Sequence, residues 1–465
     1  MKDHANAPLP LDDATLADLN AGKPQGAHVT LVDSHVVGDA RVSRFRLGNG
    51  LTVLLWPDHR APVFSFQTWF RVGSRHEKPG RTGIAHLFEH LMFKRTSNHG
   101  EGEFDAIMES HGAETNAATW VDWTYYREKL PAGCLEMVCR LEADRIEHLV
   151  LDKHQLESER EVVKNERLMR VDNDPEGQLY ETLYKTAFLE HPYGWPTIGW
   201  MPDIEAITLE DCEAFYQAYY APNNATVVIV GAVDTAVTLG LIQQYYGHLK
   251  RQTLPVETVI VEPTQTEARH RVLDLPLSAA KAIYAFHAPP ASDPAHAALE
   301  VMNEVLAGGE SSVLYRTLVT ELELATDISG WTSAWEQPGL YELSLSMRPG
   351  RSVEEAEPIL FDLLERFCGE PVSQREVDKA INGIEAGFLR SSADFGSRAR
   401  RLGHAETTLR DYRWYWQHYE KLTAVAPSDV LNVAKALLNA TNRTTIIGRP
   451  AAPTEADASS EAAAQ

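Results

Sequence analysis

A chain of 465 residues is too long for one ordinary hydrophobic core. With 44% hydrophobic and 23% charged residues it has a globular composition, and no apolar run reaches the roughly 18 residues that would span a bilayer. The formal net charge of −23 opposes binding to a nucleic-acid backbone; it favours basic or neutral partners, or serves solubility alone.

The first residues, Met1-Lys2-Asp3-His4-Ala5, lack the apolar stretch of a secretory signal. The expectation is therefore a cytoplasmic protein, or a periplasmic one if a signal peptide has been removed. Cys134, Cys139, Cys212 and Cys368 have no CxxC spacing and read as helical or core positions rather than disulfide or metal sites. Residues 1–38 are polar with scattered Pro and Gly and read as an N-terminal extension. Regular structure is expected from Val42 to Leu47, with a turn at Gly48-Asn49-Gly50 and a return from Leu51 to Trp56, the pattern of a hairpin. A further strand, Val63 to Phe70, leads through a Gly-containing loop into the run Gly83 to Phe93.

That run contains His86-Leu87-Phe88-Glu89-His90. On a helix His86 and His90 stand one turn apart on the same face, with Glu89 beside them. Two imidazoles so placed can grip one divalent zinc ion, and the carboxylate can take a proton from a water molecule at the remaining position. Among 18 histidines a chance match to so short a pattern is a real alternative, and the rest of the chain has to decide.

The segment from His111 to Tyr126 reads as a turn followed by β structure. Small residues at Ala117 and Ala118 either sit in an ordinary buried strand or leave an edge that an extended peptide can join. A helix is expected from about Leu135 to His148. The charged run Glu157 to Arg167 reads as another, with Glu159 and Glu166 seven residues apart and nearly on one face. Such a run is commonly just a solvated face. With a two-histidine site short of a ligand, a carboxylate from a second helix is the expected third protein donor.

Taken together, His86-x-x-Glu89-His90 and Glu159-Arg160-x-Val162-Val163-x-x-Glu166 resemble the inverted zinc motif of the M16 peptidases. Three further stretches strengthen the resemblance: Asn116-Ala117-x-Thr119-x-x-Asp122-x-Thr124, His191-Pro192-Tyr193-Gly194, and Phe215-Tyr216-x-x-Tyr219-Tyr220-x-Pro222-Asn223-Asn224-Ala225. The likeness covers roughly residues 42–448. It implies His86, His90 and Glu166 as ligands of one zinc ion per chain, Glu89 as general base, and Glu159 as a carboxylate that orients the site. Asn116 and Ala117 would belong to the edge that pairs with the substrate backbone. The implied activity is hydrolysis of peptides or unfolded polypeptides inside an enclosed chamber, with a non-catalytic scaffold or assembly subunit as the rival reading.

Val227 to Gly231 reads as a buried strand, and the Pro- and Thr-containing stretch 254–266 as a linker. Beyond it strand Lys281 to His287 and helix Ala297 to Leu306 repeat the earlier order without a histidine pair. The expected fold is α+β: two homologous domains of similar topology, each a mostly antiparallel sheet packed with helices. The boundaries read as a catalytic domain over 39–253, a second domain over 267–448 and a disordered tail over 449–465. Gly308-Gly309-Glu310-Ser311-Ser312 lacks the ending of a phosphate loop. In many bacterial M16 chains the region after it supplies an Arg and a Tyr that hold substrate at the zinc site; here Val319 and Thr326 stand at those positions. Neither carries a charged fork or a phenol. The resemblance therefore implies a heterodimer with a second M16-like subunit lacking the zinc motif, or a homodimer in which Tyr315 or Arg316 substitutes. The aromatic run Asp411 to Trp416 reads as helical packing rather than a ligand site.

Overall fold

The computed structural model describes residues 9–451. The N-terminal end of the expected extension and most of the expected tail, residues 1–8 and 452–465, lie outside them. The chain forms two compact units that interleave in sequence. One comprises residues up to Asn165, Trp195–Ile260 and Gly387–Gln417; the other comprises Glu166–Gly194, Val261–Ala386 and residues from His418 onward. The sequence reading gave consecutive domains joined by a linker.

In the first unit, strands β1 (Val29–Val37), β2 (Ala40–Leu47), β3 (Thr52–Pro57), β4 (Val63–Phe70), β5 (Glu114–Thr119), β6 (Thr124–Pro131) and β7 (Ala225–Gly231) make one sheet. Their order is β1-β2-β3-β7-β4-β6-β5, antiparallel except for β3 against β7. β2 and β3 are the hairpin expected from Gly48-Asn49-Gly50. β7, with every residue buried, is a central strand. Order begins earlier than the sequence suggested, because helix Asp13–Asn20 precedes β1 and β1 pairs along β2 from Val29↔Leu47 to Val37↔Ala40. β1 buries little beyond Val29, so its polar residues mask its pattern. At the other end, Arg449 and Pro450 pair with Asp274 and Leu275 and belong to a strand, not to the tail.

In the second unit β8 (Arg269–Leu275), β9 (Lys281–Ala288), β10 (Ala325–Thr332), β11 (Gly339–Met347) and β12 (Arg443–Pro450) take the order β10-β11-β9-β12-β8. β8 runs parallel to β12 and the remaining pairs are antiparallel. Numbered within each unit from β3 and from β8, both sheets read first, fifth, second, fourth, third, with the parallel pair in the same place. This is the duplicated α+β architecture expected from the repeated strand–helix order.

Both faces of the first sheet are covered. On one, Phe45, Val53, Phe66, Phe70 and Val227 pack against Leu87, Phe88 and Leu91 of the helix Ile84–Leu91. On the other, Leu54, Trp69, Val228 and Val230 pack against Phe395, Ala399 and Leu402 of the helix Phe395–Leu409. A Cβ on Gly403 would meet the Trp69 indole at 2.1 Å, so only glycine lets that helix lie so close to the sheet. In the second unit the helix Pro175–Ala187 packs on β12, β8 and β9.

Candidate metal centre

The helix Ile84–Leu91 buries Ile84, Leu87, Phe88 and Leu91, spaced as one helical stripe, and leaves His86, Glu89 and His90 half-buried on the opposite face. Its start is held by Glu77. The buried carboxylate accepts from the backbone N–H groups of Gly83 at 2.9 Å and Ala85 at 2.8 Å, satisfying donors that no side-chain N-cap reaches. Burial pushes this carboxyl well above its ordinary pKa despite the two N–H donors. Gly83 has φ +89°, and a Cβ there would lie 2.5 Å from the Ile198 carbonyl oxygen.

The His86 and His90 rings are 4.9 Å apart between centroids and inclined at 82°. The third group comes from the helix Lys153–Arg167, which buries Leu156 and Val163 in the first unit's core. The division between units falls between Asn165 and Glu166, inside this continuous helix, so its last turn delivers Glu166. One donor atom each from His86, His90 and Glu166 lie within 4.8 Å of one another. Two imidazoles and a carboxylate, half-buried, are the donor set that suits zinc with one position left open.

Around the triad stand supporting groups. Glu159 Oε2 lies 3.4 Å from His90 Nδ1, and its other oxygen meets Lys94 Nζ at 2.8 Å. Burial opposes ionisation of Glu159, but the bonds from His90 and Lys94 outweigh it and hold its pKa below the ordinary value. A carboxylate held at Nδ1 fixes the His90 ring and makes Nε2 the nitrogen suited to a metal. Arg170, one turn beyond Glu166, lies 3.0 Å from Glu166 Oε1. Thr119 donates from Oγ1 to Glu89 Oε2 at 2.6 Å. Glu89 and His90 open into a cavity of about 400 Å³ shared with Phe93, Asp105, Asn116 and Ala117.

Asn116 and Ala117 sit on β5, at the edge of the sheet, with Asn116 Oδ1 accepting from the Ala117 N–H at 2.8 Å. All seven residues singled out from the sequence are thus placed: three converge, Glu159 touches His90, Glu89 faces the cavity, and Asn116 and Ala117 line it. Sequence reasoning missed Glu77, Lys94 and Arg170. Lys94 and Arg170 each stand four residues past a candidate ligand, a spacing that could have flagged them although the histidine helix ends at Leu91, before Lys94; Glu77 lies in a loop and carries no such signal. In the second unit the corresponding helix, His296–Ala307, carries only His296, fully buried and 3.3 Å from Glu300.

Residues 52–200 match the family model described as insulinase (peptidase family M16), and residues 206–384 match the one described as peptidase M16 inactive domain. Zinc protease PqqE of Helicobacter pylori is 30% identical over 409 residues, spanning 87% of this chain and 92% of that protein. The chain belongs to peptidase family M16. A crystal structure of a protease from Helicobacter pylori superposes on this M16 chain with a TM-score of 0.84 at 29% identity, covering 88% of this chain and all of that one. A Pseudomonas fluorescens structure described as a peptidase M16 inactive domain gives 0.80 at 18% identity, covering 89% and 99%, and speaks to the fold alone. Among the described residues no helix is long and apolar enough to cross a membrane.

Proposed function

We propose that this M16 chain is a zinc-dependent endopeptidase that cleaves peptides or unfolded polypeptides. The observation that carries the reading is the convergence of His86, His90 and Glu166 with Glu89 alongside, facing a cavity walled by an edge strand. A zinc ion held by the three donors supplies Lewis acidity to the scissile carbonyl and to the attacking water. Glu89, aimed by Thr119, takes a proton as the water oxygen bonds to the carbonyl carbon, and returns it to the amide nitrogen as the C–N bond breaks. Glu159 orients His90, and β5 at Asn116 and Ala117 reads an extended backbone by strand addition. An extended segment is what an unfolded chain offers and a folded domain does not.

The test is Glu89→Gln. Metal analysis should still find one zinc per chain, while cleavage of an unstructured peptide falls at least about 100-fold, as removal of a general base requires. A chelator should silence the wild type and added zinc restore it. A wild type that holds no metal, or an E89Q variant that cleaves normally, would leave a non-catalytic scaffold as the better reading.

A heterodimer is part of the proposal. Val319 is buried in the second core and Thr326 donates to the Ser346 carbonyl, so neither position offers a group to substrate. A partner of the same family without the zinc motif would supply the Arg and Tyr. Co-purification decides: a single chain cleaving at full rate, unchanged by any partner, counts against it. The second reading, a homodimer, is favoured by Arg316, whose side chain is 60% exposed.

A further inference from the structure

We propose that an aromatic cleft on the face of the first sheet opposite the metal-centre helix binds a carboxylate carried on an apolar body. The cleft lies wholly within the first unit, between the β1–β2 turn, the end of β3 and the segment 388–416. Its volume is about 540 Å³, and its walls are Trp56, Phe388, Leu389, Tyr412, Tyr415 and Trp416. That size and lining are those of small-ligand pockets, which run from about 300 to 1,000 Å³.

Charge sets it apart. On a chain of net charge −23, this lining holds three arginines, Arg60, Arg398 and Arg401, against two aspartates, Asp39 and Asp58. Arg60 and Arg398 both turn to Asp58, the latter at 2.7 Å. Among the described residues Arg401 has only neutral partners: Ser392 Oγ at 2.6 Å, the Phe388 carbonyl at 3.1 Å and Ser391 Oγ. Its guanidinium lies over the Phe388 ring at 4.2 Å. Burial lowers its pKa, and the charges of Arg400 and Arg398 press the same way, against the opposing pull of Tyr415. Three of its five N–H donors are used, so two remain for a ligand.

A half-buried cation without a carboxylate partner, set among apolar rings, is complementary to an anion whose remainder is apolar. The donors left, Nε–H and one Nη1–H, each offer a carboxylate oxygen a single charge-assisted hydrogen bond. Two sources share this chemistry: the C-terminal carboxylate of a peptide ending in an apolar residue, and a free aryl or alkyl acid.

Isothermal titration calorimetry on the full chain tests the proposal with N-acetylphenylalanine and 1-naphthylacetate, each against its primary amide. At least one acid should bind at least about tenfold tighter than its amide, reflecting the charge-assisted bond. Arg401→Gln should erase the difference and Arg401→Lys keep most of it. Binding of N-acetylphenylalanine alone assigns a peptide end, of naphthylacetate alone a free acid, and of both the shared chemistry. Should R401Q fail to fold, Leu389→Trp, which fills the rim of the cleft, must abolish binding instead. Acid and amide binding alike, neither acid binding, or acid preference persisting in R401Q or L389W, overturns the proposal.

Discussion

His90 is held through Nδ1 by Glu159, which in turn is held by Lys94. A ring fixed at one nitrogen presents the other in a defined direction, and supporting carboxylates of this kind are worth about 10–100-fold in metal affinity. Replacing Glu159 by Gln should weaken zinc binding by about tenfold or more in a chelator competition, with the melting temperature of the metal-free protein little changed. In the second unit, Glu342 on β11 is only 4% exposed and accepts from the Tyr184 hydroxyl at 2.5 Å. Burial pushes its pKa up to about 7, against the pull of that hydrogen bond. In the unfolded chain the group ionises near its ordinary 4.5, while the folded chain keeps the proton. The stability it contributes is therefore complete below that lower value and is lost as pH rises through about 7. Scanning calorimetry should show the second unit melting at progressively lower temperature across this window, and Glu342→Gln should flatten the slope.

The helix that carries the histidines is short, Ile84–Leu91, and depends on how it begins. Gly83 turns the chain in the left-handed region, and Glu77 satisfies the first donors. Gly83→Ala adds a strained φ and a contact of 2.5 Å with the Ile198 carbonyl. The variant should lose about 2 kcal/mol or more in urea unfolding and bind zinc more weakly, because the displaced first turn carries His86. The Asn116–Thr124 stretch also resolves at this scale. It forms an edge hairpin, β5 against β6, in which Thr119 reaches Glu89 and buried Asp122 pairs with Arg75 at 2.6 Å.

At the scale of the molecule, each unit is completed by a helix that the chain supplies from elsewhere in its sequence. The first unit contains 387–417 and the second contains 166–194. A fragment ending at residue 260 therefore lacks the helix that covers Leu54, Trp69, Val228 and Val230. It should bind a hydrophobic dye and unfold without a cooperative transition, and adding 261–465 in trans should suppress the dye binding and restore cooperativity. A cooperative, dye-silent fragment would show that the helix is dispensable.

Local pattern in the sequence was enough for the β2–β3 hairpin, strand β4, the histidine helix, the helix Leu135–His148 and the duplicated architecture, because alternation, helical stripes and turn residues are properties of neighbours along the chain. The spacing of His86, Glu89 and His90 likewise restricts their chemistry, whereas the separate roles of Glu159 and Glu166 came from the resemblance to the M16 peptidases and not from local pattern. Tertiary structure alone decided the rest. It turned residues 29–37 into a strand, since an edge position lets polar side chains face solvent. It assigned the helices Pro175–Ala187 and Phe395–Leu409 to sheets distant in sequence, since an amphipathic helix has the same pattern whichever sheet it covers. And it set Lys94 against Glu159 and Thr119 against Glu89, since a contact between residues far apart in sequence leaves no periodic trace.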